Sequence, residues 1–140
     1  MNRNIKRYEQ IPHTADIAAR IYGKTIEELF VNAAFAMFDI ISGGDQMPGS
    51  KKIIVQKESE NIENLLVGWL NELLYVSYEK RSLLCDFKII LLNEKKIEAE
   101  VYLTDPADST VKKEIKAATY YDVKIVKDNG RFIVDVVFDV

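Results

Sequence analysis

Two stretches of the chain repeat their apolar residues at intervals of three and four, the spacing that lines one side of an α-helix. In the first, Leu29, Phe30, Ala33, Ala34, Met37, Phe38 and Ile41 form the stripe. Thr25 and Glu28 stand at its start with the spacing of a capping box, in which each side chain takes a backbone N–H that the first turn leaves unpaired. Gly43 and Gly44 end the pattern, where a left-handed cap meets no Cβ penalty. The second stripe begins near Asn61 and carries Leu65, Leu66, Trp69, Leu70, Leu73 and Leu74, leaving Glu72, Glu79 and Lys80 to water. A tryptophan inside such a stripe is a core residue, so Trp69 is given no chemistry.

Elsewhere the period is two, as in half-buried strands. Lys52 to Lys57, Phe87 to Leu92 and Ile97 to Leu103 read this way, the last two joined by the polar turn Asn93 to Lys96. Asp16 to Tyr22 is a further strand. Near the end, Asn129 and Gly130 are the pair that a two-residue hairpin turn requires, because both adopt positive φ. That turn predicts a ladder in which Asp128 faces Arg131, Lys124 faces Asp135, Tyr121 faces Phe138 and Tyr120 faces Asp139. Leu103 to Lys113, with Pro106 and several polar residues, reads as a loop. Two amphipathic helices among six or seven strands, with no helices between the last strands, predict an α+β fold. The expected form is a two-layer sandwich with both helices packed on one face of a mixed, largely antiparallel sheet.

At 140 residues, 48% hydrophobic and 29% charged, the chain has the size and balance of one domain spanning residues 1–140. A net charge of −3 argues against stable independent binding to nucleic acid, which needs a surplus of Lys and Arg. Cys85, alone and in an apolar run, is read as a buried thiol and excludes disulfides and multi-cysteine metal sites within the chain. No segment reads as a membrane span or a signal peptide, so a soluble, cytoplasmic protein is expected. With one histidine there is no His pair for zinc. No glycine-rich phosphate loop follows a strand, and no serine sits at a nucleophile elbow.

What remains is a polar cluster, His13, Thr14, Ala15 and Asp16, entering a strand after Pro12, and an acidic residue at the far end of the chain. Taken singly, Asp16 suits a turn cap, His13 a structural histidine and Asp139 a terminal charge. An ordered last strand, however, sets the side chain of Asp139 beside the α-carboxylate of Val140. A hard divalent cation held by oxygen ligands resolves that repulsion. Asp16 supplies a third carboxylate if it lies on a neighbouring strand. Oxygen ligands suit calcium, which is favoured, or magnesium or manganese. Extending the chain beyond Val140 would replace the carboxylate with a neutral carbonyl and is expected to weaken such a site.

Three strings, in order, carry a resemblance. They are His13, Thr14, Ala15, Asp16, Ile17; then Ile26, Glu27, Glu28, Leu29, Phe30 opening a helix; then Lys116, Ala117, Ala118, Thr119, Tyr120 with the ending Phe138, Asp139, Val140. Together, from about Tyr8 to Val140, they resemble the archease family. The resemblance implies a non-enzymatic activator of the tRNA-splicing RNA ligase, promoting its guanylylation and multiple turnover in tRNA splicing and RNA repair. It implies metal ligands at Asp16, Asp139 and Val140, and a functional lysine at Lys116. Many members have histidine where this chain has Tyr121, and a tyrosine takes no proton near neutral pH.

On the predicted ladder Lys116 lies four residues beyond Tyr120, roughly 13 Å from Asp139 at strand rise, so a direct ion pair would need a bulge. Lys116 is therefore favoured for an anionic group of the partner, such as a nucleotide phosphate or an acidic side chain, with a solvated lysine beside Glu114 left open, and His13 is grouped with it as a partner or nucleotide contact. Two other readings stay open: a small metal-dependent hydrolase using the same carboxylates, and a chaperone-like adaptor that needs no metal.

Overall fold

The computed structural model describes residues 6–14 and 16–140; Ala15 of the polar cluster and residues 1–5 lie outside the described residues. The elements follow the order β1 (Tyr8–Ile11), β2 (Ile17–Gly23), α1 (Ile26–Ser42), β3 (Lys51–Glu58), α2 (Ile62–Lys80), β4 (Leu84–Leu92), β5 (Lys96–Leu103), β6 (Ala117–Ala118), β7 (Val126–Asp128) and β8 (Arg131–Asp139). Between β5 and β6 the expected loop holds one 3-10 turn, Pro106–Asp108.

Both helices start and stop where their end residues dictate. Thr25 Oγ1 accepts the Glu28 N–H at 3.0 Å, and Glu28 reaches back to the Lys24 N–H at 2.8 Å. Gly43 then ends α1 in the left-handed region at φ 66°. Asn61 caps α2 in the same manner, its Oδ1 accepting the Asn64 N–H at 2.8 Å. Arg81 closes that helix with φ 55°, a conformation an arginine adopts only at some cost.

The class is α+β, with the two helices packed against antiparallel sheet. The strands divide between two sheets where the sequence suggested one: β1–β2–β8–β6 with β7 also on β8, and β3–β5–β4. Each helix touches both, α1 packing on β2 and β4 and α2 on β3 and β6. The apolar stripes meet where the layers converge. Trp69 and Phe38 are fully buried around Phe87, with ring centroids 6.3 and 6.1 Å from it. The Trp69 indole N–H is satisfied by the Phe30 carbonyl at 3.1 Å. Cys85 is half-buried rather than enclosed, and its burial still pushes the thiol pKa up.

The C-terminal hairpin turns at Asn129 and Gly130, and Asp128 faces Arg131 as expected. That register holds as far as Val126–Ile133, and the predicted pairs beyond it fail. Phe138 is opposite Ala118 rather than Tyr121, and Asp139 is opposite Ala117 rather than Tyr120, three positions out of step. Beyond Thr119, whose N–H still bonds the Val137 carbonyl at 2.9 Å, the chain leaves the sheet through Asp122 at φ 51°. It returns at Val126. Residues 119–125 are an excursion whose Val123 and Ile125 mimic a strand in sequence. The Ile125 N–H goes instead to Glu63 Oε2 of α2 at 3.2 Å, so the helix takes a bond the sheet would otherwise have made.

Candidate functional site

At its end β8 runs between two partners, with Phe138 paired to Ile17 of β2 on one side and to Ala118 of β6 on the other. Phe138 is fully buried. Because side chains alternate along a strand, Asp139 points away from the core. The β2–β8 pairing ends at Ile17–Phe138, so Asp16 and Asp139 are the next residues of the two chains at the same end of the sheet. Asp16 is half-buried and Asp139 exposed, with no carboxylate-to-cation pair drawn to Asp139 among the described residues. A turn in which the Asp16 N–H bonds the Thr14 carbonyl at 2.8 Å delivers the chain into β2.

The excursion corrects the distance argument made for Lys116. Its N–H donates to the Asp139 carbonyl at 2.8 Å, so its backbone lies against β8 rather than a dozen ångströms along it. Alternation places Ala117, the residue opposite Asp139, on the carboxylate face. Lys116 is exposed, and its ammonium forms no ion pair among the described residues. The structure thus brings Asp16, Asp139 and the Lys116 backbone to one end of three adjacent strands, leaving the ammonium in solvent. Val140 is partly buried and packs on the core, which fixes the strand end.

His13 joins this end of the sheet from the β1–β2 connection. Its Nδ1 is 3.9 Å from Asp16 Oδ2, an approach too long for a hydrogen bond but close enough for charge attraction when the imidazole is protonated. Its ring meets Tyr121 edge to face, with centroids 6.3 Å apart at 74°. Tyr121, displaced from its predicted place opposite Phe138, therefore walls the site from the excursion.

The donors present are hard oxygens in character, the kind that calcium or magnesium takes. Among the described residues no three of His, Cys, Asp or Glu gather closely enough to hold a metal ion. Two carboxylates and main-chain oxygens fit such a cation in kind, and further ligands would have to come from water or a partner.

One residue that sequence reasoning passed over is Asn71. It sits on α2 between Leu70 and Leu73, and its amide bonds both backbone groups of Ala118: Oδ1 accepts the N–H at 2.8 Å and Nδ2 donates to the carbonyl at 3.0 Å. The available signal was an asparagine, a poor helix former, on the edge of an otherwise apolar stripe.

A protein-family model described as the archease protein family matches residues 8–140. The protein archease of Pyrococcus abyssi is 37% identical over 142 residues, covering 97% of this chain and all of that protein. That of Methanosarcina mazei is 35% identical, covering 96% of this chain and 97% of that protein. Among solved structures, protein 1598 of Methanobacterium thermoautotrophicum superposes with a TM-score of 0.83 at 26% identity over 97% of this chain and all of that one. A Thermotoga maritima protein, described as an archease and possible chaperone, has the same fold, with a TM-score of 0.64 at 24% identity over 99% of this chain. The chain belongs to the archease family. No helix among the described residues is long and apolar enough to cross a membrane.

Proposed function

We propose that this protein is a non-enzymatic, cytoplasmic activator of the tRNA-splicing RNA ligase, promoting the ligase's guanylylation and multiple turnover through a metal-dependent site formed by Asp16, Asp139 and Val140. The observation that supports this reading is that β2 and β8 pair up to Ile17–Phe138, the residues next to Asp16 and Asp139, while the Lys116 N–H bonds the Asp139 carbonyl. Adjacent like charges on one sheet face repel. A hard divalent cation, calcium for preference, held by the two carboxylates and a Val140 oxygen, would offset that repulsion and offer positive charge to an anionic group. Lys116, exposed and free of a partner within the described chain, is available to a phosphate or an acidic side chain of the ligase complex. His13 and Tyr121 border the same end. A hydrolase using these carboxylates would have only three oxygen ligands and one histidine to work with, a thin set for that chemistry.

The test is RNA ligation by the cognate ligase with substrate in excess, with and without this protein, and with a chelator. Product exceeding one equivalent of ligase only when the protein is present, and lost with chelator, is expected. Turnover that is indifferent to the protein would overturn the reading, and activation that survives the chelator would remove the metal from it.

A further inference from the structure

We infer that Asn71 of α2 is the positioning residue for Lys116, its amide standing in for a neighbouring strand on the outer side of β6; the inference rests on the proposed role of Lys116. β6 is only two residues long, and its backbone reaches β8 through Lys116 and Thr119 on either side. A two-residue edge strand held by so few bonds is marginal by itself. Ala118 is 3% exposed, so its own N–H and carbonyl need partners inside the protein. Asn71 supplies both at once, as a donor and an acceptor in the fixed spacing of one carboxamide. Among side chains only asparagine and the longer glutamine carry a carbonyl acceptor and an amide donor on separate atoms of one planar group.

The consequence is geometric. With Asn71 in place, the segment carrying Lys116 is pinned between the end of β8 and α2, and the Lys116 N–H keeps its 2.8 Å bond to the Asp139 carbonyl. The helix holds the far foot of the excursion as well, through Glu63 and the Ile125 N–H two helical turns away. Asn71 also occupies the polar groups that β6 would otherwise show to an added strand.

The experiment compares Asn71→Ala, Asn71→Asp and Lys116→Ala in the full chain, by residue-resolved amide exchange and by the ligation assay. In Asn71→Ala the Lys116 and Thr119 amides should exchange ~10-fold faster or more, as expected for losing about 1.4 kcal/mol of bonding at the edge. The β2 and β3 amides should keep their rates, and activation should fall to the level of Lys116→Ala. Asn71→Asp keeps the size and the acceptor but loses the donor, so it should fall between. It also serves if the alanine variant does not fold. Lys116→Ala should lose activation with exchange unchanged. Unchanged exchange at Lys116 and Thr119 in both Asn71 variants would overturn the positioning role. So would acceleration spread evenly through β2, β3 and α2, which marks a general structural contribution, or full activation despite a loosened β6. If the wild-type protein itself does not activate the ligase, the functional reading fails, while faster exchange confined to β6 still upholds the clamp.

Discussion

Two of the edge strands of this protein's sheets, β3 and β6, are built in opposite ways. In the three-stranded sheet, β3 pairs with β5 over eight unbroken positions from Lys51–Leu103 to Glu58–Lys96. Each is a backbone pair backed by buried Val55, Ile97, Ala99 and Val101 on the inner face. At the candidate site, β6 pairs with β8 at two positions and needs a side chain from α2 to complete its bonding. The long ladder is cooperative and repetitive. The short one is assembled from single interactions, which lets a lysine, two carboxylates and two rings be set at chosen places but makes each placement depend on individual residues. Stability resides in the first kind of region, and the proposed chemistry in the second.

The largest test of that division is Trp69→Ala. The indole is fully buried, packs against Phe87 and has its N–H satisfied, so truncation opens a cavity and removes the bond to the Phe30 carbonyl. A loss of about 3–5 kcal/mol is expected in urea unfolding. A variant that unfolds with the wild-type midpoint would mean that the helical layer does not hold the sheets together as described.

A smaller loss should follow Asn61→Ala, which removes the side-chain acceptor for the Asn64 N–H at the start of α2. The expected cost is about 1 kcal/mol. Because α2 presents Glu63 and Asn71 to the excursion, fraying of its first turn should loosen Ile125 before Ala118. Proton exchange at those two amides in the variant would sharpen the comparison, and equal acceleration at both would mean the helix responds as one rigid body.

The same contrast explains what could be read from the sequence. Thr25, Glu28, Asn61, Gly43 and Gly44 act within a few residues of themselves, so their effects on helix ends are written locally and hold in the structure. The period-two runs of β3, β4 and β5 are likewise local. The antiparallel pairing of β2 with β8 joins residues more than a hundred positions apart, and no pattern in either strand states it; the polar cluster and the acidic chain end suggested a shared site only on the condition that Asp16 lay on a neighbouring strand, and the family motifs named Asp16 and Asp139 together. The ladder beyond the Asn129–Gly130 turn was misread because alternation continues through Val123 and Ile125 while the backbone does not. What breaks it is a competing acceptor on a helix distant in sequence, Glu63, together with the left-handed turn at Asp122. β1, which adds Tyr8–Ile11 to the edge of β2, is too short to announce itself. Its place is fixed from outside, by Tyr8 donating to Asp39 Oδ2 of α1 at 2.6 Å, a contact that together with burial raises the tyrosine pKa.

The smallest expected change in stability belongs to the residues with the largest proposed role. Asp139 is exposed on the outer face, and Asp16 is half-buried beside it, so neither contributes its side chain to the core. Replacing one of two neighbouring like charges with a neutral isostere removes a repulsion of a few tenths of a kcal/mol, up to about 1. Asp139→Asn and Asp16→Asn should therefore unfold at or slightly above the wild-type midpoint in chelator, measured side by side in urea. If a divalent cation occupies the site, adding calcium should raise the wild-type midpoint, in proportion to the logarithm of its concentration once the site fills, and leave both variants unmoved. Loss of ligase activation in the same variants would then trace to the carboxylates themselves, since the fold is intact. A variant that lost stability in chelator would show that these side chains hold the sheet end together, and the distinction between a stable ladder and a functional edge would fail at the residues chosen to define it.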